Sequence, residues 1–390
     1  MSDLKKLKKI LQLAKVSIEA YQQKESFFYL DYFSKNAKTL DQSITNYLWA
    51  RYWVINDDYN LAINYLKKIH TGIFYDKSKY LLAKINFAQN NFLDGDNYFQ
   101  FRLKRGEKID RKLYFEDKLN CSIWNFEKGR ILLWQDFAIG ETVLLLRLIS
   151  LIEIKDMKID VLIDPRLIPL FISTFKNINF IDYNKNINKN DYDYHLPIGS
   201  LIKLLKNFSL DDKNTLPNLK LNKEIVSDNN NICLFLSGDG NKDHKHKQLS
   251  EDNILKILIN LRDNHTFTLI NYGKSYDYYL NFLKKNNFKI KFHNLDIYND
   301  FSNLSKVLLG SKMSIMTSCS EAYISAAIGV KTIILYNQNF SSHWMWHNSN
   351  KNSNKNYWFN NLFTFKFKWK NRNCILTDEL YLNKFLDASS

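Results

Sequence analysis

Along the first hundred residues, apolar positions recur every third or fourth residue, the spacing of helices that bury one face. Leu4, Leu7, Ile10, Leu11 and Ala14 form the first such stripe, on a lysine-rich helix. Two later stretches superimpose at an offset of 33 residues: Ala50, Asp58-Tyr59, Ala62 and Tyr65 fall on Ala83, Asn91-Phe92, Gly95 and Tyr98. From Asn125 the pattern changes to short apolar runs separated by amphipathic stretches. It predicts a strand at 130–134, a loop at 135–140, a helix at 141–154, a strand at 160–163, a helix entered through Asp164-Pro165 and a strand at 178–182. A polar stretch then leads to His195-Leu196-Pro197-Ile198-Gly199-Ser200. After a linker near 211–230 that carries Pro217, the alternation restarts, with strands at 232–236, 266–271, 290–293, 314–317 and 331–336. Helices are expected from Ser250, after 271, at 300–309 and at 320–328. The last segment is aromatic (Trp344, Trp346, Tyr357, Trp358) and ends in a short helix after Thr377.

Small residues alternating with aromatics at a period of ~33–34 residues fit a tetratricopeptide-like helix pair. Ser17, Ser26 and Tyr32 suggest a weaker copy before it, and a generic helical cap is the plainer reading. Alternating strands and helices argue for parallel sheets, and two such runs in succession imply two Rossmann-like halves with a cleft between them. The expected fold is therefore α/β, two Rossmann-like domains facing a cleft, preceded by an all-α domain. Its expected boundaries are 1–110 for the helical repeat, 125–225 and 230–375 for the two halves, and 376–390 for a C-terminal helix. No apolar run approaches the ~18–20 residues of a membrane span, since 143–154 is broken by Arg147 and Glu153. The first helix lacks the apolar centre of a signal peptide. Cys121, Cys233, Cys319 and Cys374 are far apart with no metal spacing, so reduced thiols are expected. A soluble, cytoplasmic protein is the expectation.

Charge adds a question more than an answer. The net charge of +15 suggests anionic partners, but lysines are scattered through a chain saturated with Lys, Asn and Ile, which reads first as diffuse solubilising charge. No basic–aromatic strand or recognition helix appears, so nucleic acid is set aside. Glycine is more informative because it is scarce: eleven residues, about 3% against an average near 7%, so each one marks a backbone position that tolerates little else.

Three loops at predicted strand ends carry the candidate chemistry. In the first, Gln135-Asp136-Phe137-Ala138-Ile139-Gly140-Glu141, Gly140 turns the chain and Glu141 opens a helix, where a carboxylate can serve as general base or only stabilise the helix. In the second, Ser237–Lys247, Gly238 and Gly240 would let backbone N–H groups approach a phosphate, with Lys242, Lys245 and Lys247 as countercharge. Asp243, His244 and His246 there lack a further ligand at a recognised metal spacing. In the third, Thr317-Ser318-Cys319-Ser320-Glu321, small hydroxyl residues at a helix start present donors to a diphosphate, and Glu321 can accept from ribose hydroxyls. The structural alternative is Ser320 as N-cap and Glu321 as a helix-start acid; Cys319 has no identifiable His partner as a nucleophile. His343 and His347 lie four apart without the acid of a hydrolytic zinc motif, so the neighbouring Trp residues are read as a cleft rim. No metal site is expected.

These motifs, in this order, resemble tetratricopeptide-repeat glycosyltransferases of the heptosyltransferase-like kind, a group with the GT-B fold. The resemblance runs from about Phe92 to Trp358. It rests on Phe92-x-x-Gly95 with Phe99-x-x-Arg102, on Trp124 and Gly129–Gln135 through Gly140-Glu141, and on His195–Ser200. Tyr272-Gly273, Asn299-Asp300-Phe301, the 318–335 block and the Trp344-x-Trp346…Tyr357-Trp358 ending follow. It implies metal-independent, inverting transfer of a sugar from a nucleotide-sugar co-substrate, with no other cofactor. Glu141 would be the base, Gln135, Asp136, Gly140 and His195 would lie on the acceptor side, and Ser237, Gly238, Lys247, Tyr272, Gly273, Ser318, Cys319, Ser320 and Glu321 would hold the donor. A glycan, lipid or protein would accept the sugar, the repeat could recruit a protein partner, and peripheral membrane association fits the charge. Glu141 stands where the family has an Asp, and Ser318, Cys319 and Tyr323 where it has Asp-Thr and a His. The competing expectation is therefore an inactive relative used as an interaction scaffold.

Overall fold

The computed structural model describes residues 2–20, 22–37, 42–103, 122–152, 157–207, 216–221, 225, 227–237, 249–337, 341–347, 354–370 and 373–376. The N-terminal region is helical throughout: α1 (Ser2–Glu19), α2 (Gln23–Asn36), α3 (Gln42–Ile55), α4 (Tyr59–Lys67), α5 (Tyr75–Ala88) and α6 (Phe92–Phe99). The 33-residue correspondence has a physical basis. Asp57 and Asn90 both take left-handed backbone, with φ of 62° and 63°. Asp58 and Asn91 then cap α4 and α6 by accepting from the N–H groups of Leu61 and Asp94. Ala50 and Ala83 are fully buried at equivalent points of α3 and α5.

A five-stranded parallel sheet follows, made of β1 (Ser122–Ile123), β2 (Arg130–Trp134), β3 (Lys158–Ile163), β4 (Ile178–Asp182) and β5 (Tyr194–Pro197), in the order β1-β5-β2-β3-β4. β2 leads into α7 (Ile139–Leu146), which tightens to a 3₁₀ turn at Arg147–Leu151 instead of running on as one α-helix. The short α8 (Ile168–Phe171) follows β3, entered by Asp164 as cap with Pro165 in first position. β1 and β5 go beyond the strands the pattern predicts; β5 is only four residues long and its Pro197 masks the strand pattern.

The second sheet has six strands. β6 (Asp228–Phe235), β7 (Thr266–Leu269), β8 (Ser311–Thr317), β9 (Thr332–Asn337) and β10 (Leu362–Lys370) are parallel neighbours, and β11 (Asn373–Leu376) closes the edge antiparallel, in the order β11-β10-β9-β8-β6-β7. α9 (Glu251–Leu258), α10 (Gly273–Lys285), α11 (Phe301–Leu309) and α12 (Ser320–Ala327) make the crossovers. The run at 290–293 reduces to one bridge, Ile290 to Phe267, while the aromatic tail contributes β10 and β11. The helix expected after Thr377 lies outside the described residues. The chain is thus α/β, two Rossmann-like sheets behind an all-helical region. No helix among the described residues is long and apolar enough to cross a membrane.

One buried apolar core runs through all three parts. The α5–α6 hairpin sits on both sheets' layers: Phe99 stacks on Phe137 at 5.8 Å, Phe87 meets Trp344 at 4.9 Å and Phe92 meets Trp358 at 5.7 Å. Arg147, fully buried, donates to the carbonyls of Leu216 and Pro217 in the linker and of Trp358 beyond it. A single side chain therefore ties the first sheet's helix layer to the segments that cross between the halves.

Candidate active site

The carboxyl ends of the two sheets meet where the first turns of α7 and α12 pack together. Gly140 makes this contact possible. A Cβ there would lie 2.4 Å from the Tyr323 ring, so Gly140 serves close packing; the backbone needs no left-handed turn, contrary to its expected role. Glu141 follows in the first turn of α7, partly exposed, where the helix dipole favours its ionised form. Facing it, Tyr323 is buried, and its hydroxyl finds no hydrogen-bond partner among the described residues. Burial, then the charges of Glu141 and Cys319, push the phenol well above its ordinary range, so it stays protonated as a donor. Trp346 lies against the Tyr323 ring at 4.3 Å and donates its indole N–H to Ser318 Oγ at 2.9 Å.

The α12 start carries the third predicted loop. Cys319, with extended backbone, occupies the N-cap position, one residue before the expected Ser320. Glu321 is buried in that first turn; burial raises its carboxyl above the ordinary value, opposed by hydrogen bonds from its own N–H and from Cys319 and by the charge of Arg166. Thr317 Oγ1, at the end of β8, is also buried without a partner among the described residues.

Arg166 comes from the other half. Asp164 grips its guanidinium with both oxygens, at 3.0 and 2.9 Å, and Arg166 Nη1 donates to the carbonyl of Tyr298 at 3.3 Å. Tyr298 packs on Tyr272 at 4.8 Å, and Tyr272 on Phe235. Gly273, with φ of 56°, opens α10 beside them. Ser237 is buried just past the end of β6, where its carbonyl accepts from Asn271 at 2.6 Å. Gly238 and Lys247, with the rest of 238–248, lie outside the described residues.

The acceptor-side residues divide. Gln135 is a clasp: its amide donates to the Phe137 carbonyl and accepts from the Asp164 N–H, joining the ends of β2 and β3. Both oxygens of Asp136 are engaged, by Arg102 and by the Gly199 N–H. His195 lies inside β5, where Nδ1 accepts from the Trp134 indole at 3.2 Å and burial lowers its pKa, so it is a neutral core residue. The structure thus brings Glu141 together with the 318–321 turn and leaves Gln135, Asp136 and His195 in internal bonds. Tyr323, Arg166 and Asp164 join the site although sequence reasoning gave them no part in the chemistry. Asp164-Pro165-Arg166 following a strand was the available signal for two of them. Among the described residues no cluster of three or more His, Cys, Asp or Glu could hold a metal ion.

No family model matches the sequence, and no curated protein does. Among solved structures, the chain is similar to the glycosyl transferase family 9 protein of Veillonella parvula, with 9% identity and a TM-score of 0.47 over 69% of this chain and 99% of that one. It is also similar to E. coli heptosyltransferase WaaC bound to ADP-2-deoxy-2-fluoro heptose (9%, 0.42, 67% and 100%) and to E. coli ADP-heptose LPS heptosyltransferase II (11%, 0.41, 67% and 98%).

Proposed function

We propose that this chain is a GT-B glycosyltransferase of the heptosyltransferase-like kind, moving a sugar from a nucleotide-sugar to an acceptor hydroxyl on a glycan, lipid or protein, with inversion and without a metal. The observation that carries this reading is the apposition of α7 and α12, which puts Glu141 and the 318–321 turn on facing helix starts at the carboxyl ends of two Rossmann-like sheets. Glu141 takes the proton of the acceptor hydroxyl as its oxygen attacks the anomeric carbon. The bond from that carbon to the diphosphate oxygen breaks, and its electron pair leaves with the diphosphate. N–H groups at the α12 start and the end of β6 at Ser237 meet that growing charge, where preorganised donors have their largest effect. The helical region is a tetratricopeptide-like partner surface, and the protein works in the cytoplasm, with membrane contact through its positive charge.

The test is release of nucleoside diphosphate from a panel of UDP-, GDP-, ADP- and CMP-sugars, with donor affinity measured alongside. Glu141→Gln should abolish transfer and keep donor binding; unchanged turnover eliminates the base. One observation favours a second reading, an inactive scaffold: the rings of Tyr323 and Trp346 fill the space between the helix starts. Absence of thermal stabilisation by every donor would select it.

A further inference from the structure

The helical region reaches the catalytic loop through a buried ion pair that the proposed reaction leaves unexplained. Arg102 follows α6 in a 3₁₀ turn, Gln100–Leu103, and its side chain is only 4% exposed. Its Nε and Nη2 both bond Asp136 Oδ2, at 2.8 and 2.7 Å, and the Asp136 side chain is 1% exposed. Oδ1 accepts from the Gly199 N–H at 2.8 Å. Nη2 also donates to Ser200 Oγ at 2.9 Å, and Nη1 donates to Gln100 Oε1 at 3.2 Å and to the Phe99 carbonyl at 3.3 Å, while the guanidinium plane lies over Phe99 and Phe137. Gly199 admits both groups: a Cβ there would stand 2.4 Å from the Phe137 ring and 2.9 Å from the guanidinium.

Asp136 lies in the loop between β2 and α7, and Glu141 in the first turn of that helix. Thr142 Oγ1 donates back to the carbonyls of Ala138 and Phe137, at 2.9 and 3.3 Å, and so ties the loop to the first turn of α7. We propose that Arg102 is a positioning residue for Glu141: the end of the helical region sets the angle at which the base faces its substrate. The inference deepens the transferase reading and rests on it for its kinetic consequence. A pair this dry is weak support for stability in itself, since desolvation offsets most of the attraction. Its fork geometry fixes orientation, and a base misplaced by about 1 Å can lose ~10²-fold in rate.

Arg102→Lys keeps the charge but not the fork, and Arg102→Ala leaves room for free guanidinium. Both are compared with wild type by thermal melting, donor affinity, turnover and amide hydrogen exchange. Expected are cooperative melting, donor affinity within about twofold, turnover lower by about 10–100-fold, and recovery of Arg102→Ala in guanidinium at low millimolar concentration. Exchange at residues 137–142 should quicken by about tenfold or more while that of α9 stays fixed. Turnover that merely follows the folded fraction, or that falls in step with donor affinity, overturns the positioning role. Unchanged exchange at 137–142 overturns it as well, and does so even if wild type turns over no donor, an outcome that would remove the transferase reading by itself. Failure of Arg102→Ala to fold leaves Arg102→Lys to decide by the same readouts.

Discussion

The α7–α12 seam makes a quantitative demand on residue 140. In Gly140→Ala the new methyl would sit 2.4, 2.7 and 3.2 Å from Cδ2, Cε2 and Cγ of Tyr323. Carbon atoms in contact normally stand about 3.5–4.0 Å apart, so one side must retreat by roughly 1 Å. Neither side has room. Tyr323 is 2% exposed with Trp346 behind it at 4.3 Å, and Trp346 is held by Ser318. On the α7 side, Thr142, Val143, Leu144, Leu145 and Leu146 are all fully buried. Overpacking of this kind costs ~1–3 kcal/mol, against a helix-propensity gain of at most ~1 kcal/mol that shrinks in a first turn. A net loss of about 1–2 kcal/mol is expected in urea denaturation. Because the two helices belong to different sheets, turnover should fall further than stability does. Tyr323→Ala supplies the missing space, so in that background the penalty of Gly140→Ala should vanish, a coupling of ~1–2 kcal/mol. A Gly140→Ala chain as stable as wild type, or a penalty that persists without the Tyr323 ring, would refute the packing argument.

Other perturbations follow from the same geometry. Arg147→Lys should cost ~3 kcal/mol or more in denaturation, because one ammonium cannot reach the three carbonyls that the guanidinium joins, and each unmade buried bond costs ~1–3 kcal/mol. His347, whose Nδ1 faces the Tyr59 hydroxyl at 3.4 Å and whose Nε2 is buried, is lowered by burial from 6.5 to about 3. The unfolded chain binds a proton there that the folded chain refuses, so stability falls as pH drops from 6.5 towards 3, by up to about 1.4 kcal/mol per unit; His347→Gln should flatten that slope by one proton in urea titrations across the window. Glu321 has the opposite sign for an acid: its carboxyl is raised in the fold, so stability is lost as pH rises from its ordinary 4.5 through the folded value. Glu321→Gln should therefore gain stability relative to wild type as pH rises above the ordinary 4.5, while donor affinity falls.

Much of the framework was legible because it is written locally. Asp300 caps α11 by accepting from Ser302 and Asn303, Ser250 caps α9, and Asp164 with Pro165 opens the turn after β3, each at the position its residue type suggests. What stayed hidden depends on partners far along the chain. β10 alternates Phe-Thr-Phe-Lys-Phe-Lys-Trp with the period of a strand, yet it lies beyond the last expected strand at 331–336, and its parallel partner β9 is far back along the chain. The buried triangle of Ser314, Ser325 and Thr332, with hydroxyls 2.8 to 3.2 Å apart, leaves no trace in hydropathy. Asp136 was read for its charge in a promising loop, and nothing within that loop announces that an arginine 34 positions earlier consumes it.

The joints between the parts follow one rule, and it explains why scarce glycine was informative for a reason other than the expected one. Gly95 admits the Phe87 ring between α5 and α6, Gly199 admits Arg102 and Phe137 where the helical region meets the first sheet, and Gly140 admits Tyr323 where the two halves meet. In each case an absent side chain lets a large planar group come close against backbone. Planar groups suit this work because they cover area while keeping few torsions to freeze, and because a guanidinium adds hydrogen bonds in its plane for carbonyls that no sheet or helix satisfies. Arg102 and Arg147 are those guanidiniums, both buried: Arg102 reaches the Phe99 carbonyl in the last turn of α6 and Arg147 the Leu216 carbonyl in the linker. Two of these joints, Gly140 with Tyr323 and Arg102 with Asp136, flank the start of α7, so under the proposed function an enlarged residue at 140 or a shortened one at 102 should shift Glu141 before it unfolds the chain.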